Sequence, residues 1–259
     1  MKKVIVTYIA HQLRHHNRTL RDVIGFLKKR SQLKVLERQH LSRKHFDGAD
    51  LVVTVGGDGT FLRTSHFVKD EPVLGINSDI SSKEGYFTRA DHGNYRQCLT
   101  RALDGKYRVN KLLRLQVLIN SRPVPDLALN EVYIGYTCRY HTLNFELMVR
   151  KRKERQRATG IFVGTPAGST AWIRSAGGKI MPLGSKRFQF LVREPYRGRI
   201  HKPTLLKGIL NNDEQVKVTC LSEHGVLMID SLTEERSFKR NDTITVKAAK
   251  NPLKLVSFD

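Results

Sequence analysis

Gly56-Gly57-Asp58-Gly59-Thr60 follows directly on Leu51-Val52-Val53-Thr54-Val55 and directly precedes a helix-like stretch, Phe61 to Val68. A glycine turn at the carboxyl end of a strand lets backbone N–H groups and a helix N-terminus approach phosphate oxygens. Asp58 is out of place in a pure phosphate cradle, because a carboxylate repels phosphate at short range. Its type suits a proton acceptor, or a contact to hydroxyls or a metal. The same five residues have a plainer use, as a tight turn in which Asp58 or Thr60 caps the next helix, and spacing leaves both uses open. Two familiar nucleotide fingerprints fail. No G-x-x-x-x-G-K-[ST] occurs, and G-x-G-x-x-G from Gly57 breaks at Leu62.

A second group runs from Thr159-Gly160 through Thr165-Pro166-Ala167-Gly168-Ser169-Thr170-Ala171-Trp172, and reads as a strand, a small-residue turn and a helix through Ser175 towards Gly177-Gly178. Hydroxyls and free N–H groups at such a turn can meet a sugar, an amide or a phosphate, or simply cap the helix. Trp172, the only tryptophan, can stack on a base or pack in a core. A third feature is Asn130-Glu131, set between Leu127-Ala128-Leu129 and Val132-Tyr133-Ile134. Two polar residues interrupting an apolar strand need partners, and either a ligand or a strand end supplies them.

Two kinds of chain must position these groups. Up to about residue 105, strand-like runs alternate with helical ones: Val4–Ala10, Leu33–Leu36, Leu51–Val55 and Pro72–Asn77 against Thr19–Lys29, Phe61–Val68 and Tyr95–Leu103. That alternation predicts an α/β domain, residues 1–105, with a Rossmann-like parallel sheet carrying the glycine turn. After Asp104-Gly105 the texture is β-rich. Runs at 113–119, 128–134, 143–149, 161–164, 189–192, 216–219 and 243–246 predict a mostly antiparallel, β-sandwich-like domain, residues 106–259, carrying Asn130-Glu131 and the 165–171 turn.

The 259 residues can bury a sizeable core without staples. Three distant cysteines, Cys98, Cys138 and Cys220, argue against a disulfide framework and a Cys-x-x-Cys metal site, and fit a reducing compartment. The N-terminal apolar run is too short for a signal peptide and no run reaches membrane-spanning length, so a cytoplasmic protein without membrane insertion is expected. Charge is the outlier: 46 Lys and Arg against 24 Asp and Glu give a net +22. Such a surface attracts anions, whether phosphate-bearing substrates, nucleic acid or an anionic membrane.

The residues together resemble the NAD kinases, which phosphorylate the adenosine 2′-hydroxyl of NAD(H). Gly56–Thr60, Pro72-Val73-Leu74-Gly75-Ile76-Asn77, Gly85-Tyr86-Phe87, Leu129-Asn130-Glu131 and Thr165–Ala171 stand in that family's order over roughly residues 50 to 250. The glycine motif is shared with diacylglycerol and sphingosine kinases, whereas the Asn-Glu pair and the TPxGSTA stretch are not. The resemblance implies that Asp58 is the general base, and that Gly56, Gly57, Gly59 and Thr60 face the phosphates of ATP. It also implies that Asp58, Tyr86, Phe87, Asn130, Glu131, Thr170, Ala171, Trp172 and Ser175 line the dinucleotide site. Mg²⁺ accompanying ATP, NAD or NADH as acceptor, and a homo-oligomer, dimer or tetramer, are implied too; no residue is assigned to the metal. Thr159 stands where most members have Asp, and Trp172 where most have Tyr. Together with Leu191-Val192-Arg193-Glu194-Pro195 this is more similar to the NADH-preferring kinases of plants. Thr159 is therefore expected to set selectivity on the nicotinamide side.

The alternatives are a lipid kinase of the diacylglycerol type sharing the glycine motif, and a basic nucleic-acid-binding module. The second would explain +22 directly, although no recognised module is present and nonspecific binding can coexist with kinase activity. Two further features are expected to be solvated: His11, His15 and His16 on a polar helical face, and the Arg150–Arg157 run as a hairpin tip.

Overall fold

The structure, a computed structural model, describes residues 1–10, 13–138, 141–200, 202–230 and 235–258. In chain order the first elements are β1 (Lys3–Tyr8), α1 (Arg14–Lys28), β2 (Gln32–Glu37), β3 (Leu51–Gly56), α2 (Asp58–Ser65), β4 (Pro72–Asn77), β5 (Thr88–Asp91), α3 (Tyr95–Leu103) and β6 (Arg108–Leu112). There follow β7 (Leu115–Ile119), β8 (Arg122–Ala128), β9 (Glu131–Gly135), β10 (Leu143–Val149), β11 (Arg152–Gly164), the one-turn α4 (Trp172–Ser175), β12 (Phe188–Pro195) and β13 (Lys207–Leu210). The last are β14 (Gln215–Cys220), β15 (His224–Ile229), β16 (Arg236–Lys239), β17 (Thr243–Ala248) and β18 (Leu253–Ser257).

The chain divides into two compact units, residues 1–111 with 253–259, and residues 112–252. The division is thus not a single cut at residue 105, because the last strand returns to the first sheet. Leu255 pairs with Val73 in parallel register, and Leu253, Leu255 and Val256 are buried.

In the first unit the strand order is β2-β1-β3-β4-β18-β6, with β5 also on β4, and the pairs β1–β2, β1–β3, β3–β4, β4–β5 and β4–β18 are parallel. Every residue of β3 is buried, as its unbroken β-branched run requires of a strand covered on both faces. Burying such side chains stabilises by about 1.5–3 kcal/mol apiece, so the position of the glycine turn at the end of β3 is firmly fixed. On α1 the buried face is His16, Thr19, Val23 and Leu27, at helical spacing. This corrects the expectation that His16 is solvated. It sits on the core stripe, its ring nitrogens bonded to Ser78 Oγ and the Ile9 carbonyl at 2.7 Å each. His15 is exposed, and His11 lies outside the described residues.

The second unit is a curled antiparallel sheet of eleven strands among the described residues, whose main path is β16-β15-β9-β11-β10-β14-β17-β7-β8, with β12 on β11 and β13 on β12. One cluster of buried side chains, drawn from β7 to β17, forms its core. The β10–β11 hairpin pairs Val149 with Arg152, and Arg150 at φ 56° makes the turn. The basic run is therefore mostly strand rather than tip. Gln156 and Ala158 point inward while Arg155 and Arg157 are exposed, and Glu146 on β10 pairs with Lys153 at 2.8 Å and Arg155 at 3.8 Å. From Gly160 onward β11 is buried throughout, because β9 and β12 flank it and Ile173 and Leu191 pack on Phe162. No helix among the described residues is long and apolar enough to cross a membrane.

Candidate active site

The chain turns at Gly57, the N-cap of α2, which carries no side-chain cap bond. Asp58 is the first residue of the helix and caps nothing. Its Oδ2 accepts the N–H of Tyr86 at 3.0 Å and its Oδ1 that of Phe87 at 2.8 Å. The loop after β4 thereby grips the carboxylate and fixes its direction, and the capping use of Asp58 falls away. Thr60 does not cap either. It is 2% exposed, with its hydroxyl under Gly56.

Positive charge surrounds this turn, from residues that no motif marked. A Cβ on Gly57 would lie 2.8 Å from Lys83 Cδ, so glycine is what lets the lysine stem cross the turn, and Lys83 Nζ donates to Ser78 Oγ at 3.1 Å. The Arg38 guanidinium comes within 3.5 Å of where a Cβ on Gly59 would stand. Burial lowers the Lys83 pKa, Asp79 counters that in part and Arg38 lowers it further; Arg38 is likewise lowered by burial and by Arg63, with Glu37 opposing. Two half-buried cations, Lys83 and Arg38, whose charges repel each other beside a glycine turn, make a site that favours an anion. Asp79 stands close enough to Lys83 for their charges to interact, and is itself held at about 2, chiefly by the hydroxyls of Ser81 and Ser82.

The aromatic pair divides. Tyr86 is half-buried, whereas the Phe87 ring is 3% exposed and stacked on Phe61 at 4.9 Å. The expectation that Phe87 lines a ligand site is corrected in this respect: its ring belongs to the core, and what it offers Asp58 is its N–H. Arg89 donates to the carbonyls of Tyr86 and Thr88.

In the second unit the fold brings the other two motifs into contact. Thr165 donates from its N–H to the Asn130 carbonyl at 2.9 Å and from its hydroxyl to the Leu129 carbonyl, while the Gly168 N–H donates to Thr165 Oγ1 at 3.0 Å. Gly168 lies so close to Asn130 that a Cβ on it would meet the Asn130 carbonyl oxygen at 2.2 Å. Ser169 is buried, its hydroxyl spent on the Pro166 carbonyl and the Met181 N–H. Thr170 and Ala171 are half-buried and Ser175 is exposed. Glu131 is 4% exposed, and two buried side-chain oxygens, Asn130 Oδ1 and Glu131 Oε2, have no protein partner. Orphaned polar atoms of that kind are costly unless a ligand or water completes them. Burial first, and then the charge of Asp230, push Glu131 up to about 8. Asp230, invisible from sequence, carries the Leu129–Glu131 backbone from a residue 99 positions away.

Trp172 packs on Phe162 at 4.8 Å and Tyr133 at 5.3 Å, half-buried, with Arg193 5.8 Å over its ring. Thr159 Oγ1 donates to the Arg193 carbonyl at 3.1 Å, and Tyr133 OH to the Thr159 carbonyl at 2.8 Å. Among the described residues no group of three or more His, Cys, Asp or Glu side chains is placed to hold a metal ion.

Residues 2–107 match the family described as ATP-NAD kinase N-terminal domain, and residues 129–258 that described as ATP-NAD kinase C-terminal domain. A probable NADH kinase of Oryza sativa subsp. japonica is 30% identical over 275 residues, covering 97% of this chain and 84% of that protein. The fold matches that of an NAD kinase from Archaeoglobus fulgidus in complex with ATP, with a TM-score of 0.76 at 24% identity over 99% of this chain and 93% of that one. It also matches yeast NADH kinase complexed with NADH, with a TM-score of 0.83 at 17% identity over 100% and 84%.

Proposed function

The chain belongs to the NAD kinase family, and from that premise we propose that it transfers the γ-phosphoryl group of ATP to the adenosine 2′-hydroxyl of NAD or NADH, giving NADP or NADPH and ADP. The observation that carries this reading is the Asp58 carboxylate, set at the end of the central strand and aimed by two backbone N–H groups. Asp58 takes the hydroxyl proton as the 2′-oxygen bonds to the γ-phosphorus and the bond to the departing ADP oxygen breaks. Gly56, Gly57, Gly59 and Thr60 form the turn that faces the phosphates, with Lys83 and Arg38 supplying positive charge against the triphosphate. Mg²⁺ belongs to this reading as the counter-ion that arrives with ATP.

Tyr86, Asn130, Glu131, Thr170, Ala171, Trp172 and Ser175 contact the dinucleotide; Phe87 acts through its backbone. Position 159 itself carries no carboxylate, and on the neighbouring strand Arg193 is ion-paired to Glu194 at 3.3 Å, which offsets the charge of each, so the oxidised nicotinamide ring gains little attraction. NADH is then used at least as well as NAD⁺. The +22 charge draws both anionic substrates in and permits weak, salt-dependent binding to nucleic acid beside the reaction. The enzyme works in the cytoplasm as a homo-oligomer, dimer or tetramer, which light scattering would test.

The deciding experiment offers ATP and Mg²⁺ with NAD, NADH or diacylglycerol in parallel and identifies the phosphorylated product. NADP or NADPH is expected. Phosphorylated diacylglycerol alone would restore the lipid-kinase reading, which leaves Asn130, Glu131 and the 165–171 turn without a task.

A further inference from the structure

Asp230 follows β15 directly, is 2% exposed, and has a left-handed φ of 54°. Its Oδ2 accepts the N–H of Leu129 at 2.8 Å, and its Oδ1 accepts those of Asn130 at 2.7 Å and Glu131 at 3.0 Å. Its own N–H donates to the Glu131 carbonyl at 2.9 Å. Three successive main-chain donors folded round one carboxylate make an anion nest, filled here by the protein itself. A buried carboxylate is tolerated only when so satisfied, and the same bonds immobilise the chain that supplies them. With the Asn130 carbonyl also taken by Thr165, the backbone of the Asn-Glu pair is held from two sides while one oxygen of each side chain, Asn130 Oδ1 and Glu131 Oε2, stays unpaired.

We propose that Asp230 is a positioning residue for the dinucleotide: it fixes the Leu129–Glu131 main chain so that the Asn130 amide oxygen and the Glu131 carboxyl meet the ligand ready-oriented. The inference rests on the reading of Asn130 and Glu131 as dinucleotide contacts. It has an electrostatic corollary. Gly164, which pairs with Glu131, and the turn Thr165–Thr170, which packs on Asn130, bring no ionisable side chain, and after burial the charge of Asp230 is what raises Glu131. Near neutral pH Glu131 is then a neutral acid that donates its O–H, and it suits an acceptor oxygen such as a ribose hydroxyl or a carboxamide carbonyl.

Asp230→Asn keeps the shape, removes the charge and turns one acceptor towards the N–H groups as a donor. Its KM for NAD(H) should rise about tenfold or more, since several buried hydrogen bonds are lost, with the KM for ATP within about twofold. In wild type the KM for NAD(H) should climb as pH passes about 8. In Asp230→Asn that climb should begin at lower pH, because the neighbouring negative charge is gone. A variant that melts earlier but keeps the wild-type KM and pH profile would make Asp230 merely structural and overturn the proposal. Glu131→Ala separates the two layers. If it raises the KM for NAD(H) and Asp230→Asn does not, positioning fails alone; if it changes nothing, the dinucleotide reading of the pair fails and takes this proposal with it. Should Asp230→Asn not fold, calorimetric binding of NADH to wild type and Glu131→Gln decides. A climb near pH 8 in wild type that Glu131→Gln abolishes supports the proposal, and a flat wild-type profile overturns it.

Discussion

Replacing Gly168 by alanine should damage the dinucleotide site from behind, through a contact that involves no ligand. The added Cβ would lie 2.2 Å from the Asn130 carbonyl oxygen, 2.4 Å from its carbonyl carbon and 2.5 Å from its Cα. All three are backbone atoms, so no rotamer change relieves the clash. Restoring an ordinary 3.4 Å separation from the oxygen requires a displacement of about 1.2 Å. Asn130 cannot yield freely, because Asp230 and Thr165 hold its N–H and its carbonyl. Overpacking of about 1–3 kcal/mol plus about 1 kcal/mol for a strained hydrogen bond gives a loss of roughly 2–4 kcal/mol. At about 2–4 °C per kcal/mol for a chain of this size, Tm should fall by roughly 5–15 °C. A misplacement of that order also costs about 10²-fold in kcat/KM for NAD(H). Gly184→Ala is the control: its Cβ would meet nothing within 4 Å, so stability should change by no more than about 0.5 kcal/mol. Thermal unfolding and steady-state kinetics of the two variants side by side make the test. A Gly168→Ala protein indistinguishable from Gly184→Ala would refute the claim that the turn and the Asn-Glu pair are wedged together.

Asp58→Asn should lower kcat about 10²-fold or more; because the amide keeps only one of the two acceptors that hold the Tyr86 and Phe87 N–H groups, stability should also fall by about 1–3 kcal/mol, and wild-type kcat with that lowered Tm would return Asp58 to a purely structural role. Glu131→Gln should alter the pH dependence of stability. The folded carboxyl is raised from 4.5 to about 8, so the folded state keeps a proton that the unfolded state releases. Wild-type stability is therefore full below about pH 4.5 and falls as pH rises towards about 8, by about 1.4 kcal/mol per unit and a few kcal/mol in all. Glutamine escapes that loss, so the variant should match wild type in calorimetry at about pH 5 and melt higher at about pH 8.5; an equal offset at both would count against it. Thr159→Asp should move the kcat/KM ratio towards NAD⁺ by about fivefold, the effect of one screened charge contact near 1 kcal/mol, and a ratio that does not move would remove Thr159 from selectivity.

The glycine turn, its strand and its helix could be read from residues 51–68 because their interactions are local. An unbroken β-branched run must be buried on both faces, glycines must end it, and the next helix must start there. Local pattern likewise placed β10 at Leu143–Val149 and α3 at Tyr95–Leu103. The same local reading started the helix at Phe61, three residues late, since it treated Asp58 as part of the turn; the structure makes it the first helical residue.

What no local pattern could supply was the far partner of each functional group. Asp58 is aimed by Tyr86 and Phe87, Asn130 and Glu131 are carried by Asp230, and Lys83 and Arg38 lean over the glycine turn from outside every motif. His16 looked polar until the stripe of α1 turned it inward, and β18 gave no sign that it would pair with β4 across most of the chain. The protonation of Glu131 illustrates the same division. Sequence fixes that a carboxyl stands next to Asn130, but its charge state depends on how deeply it is buried and on a second carboxylate brought beside it, and only the tertiary fold sets those two quantities.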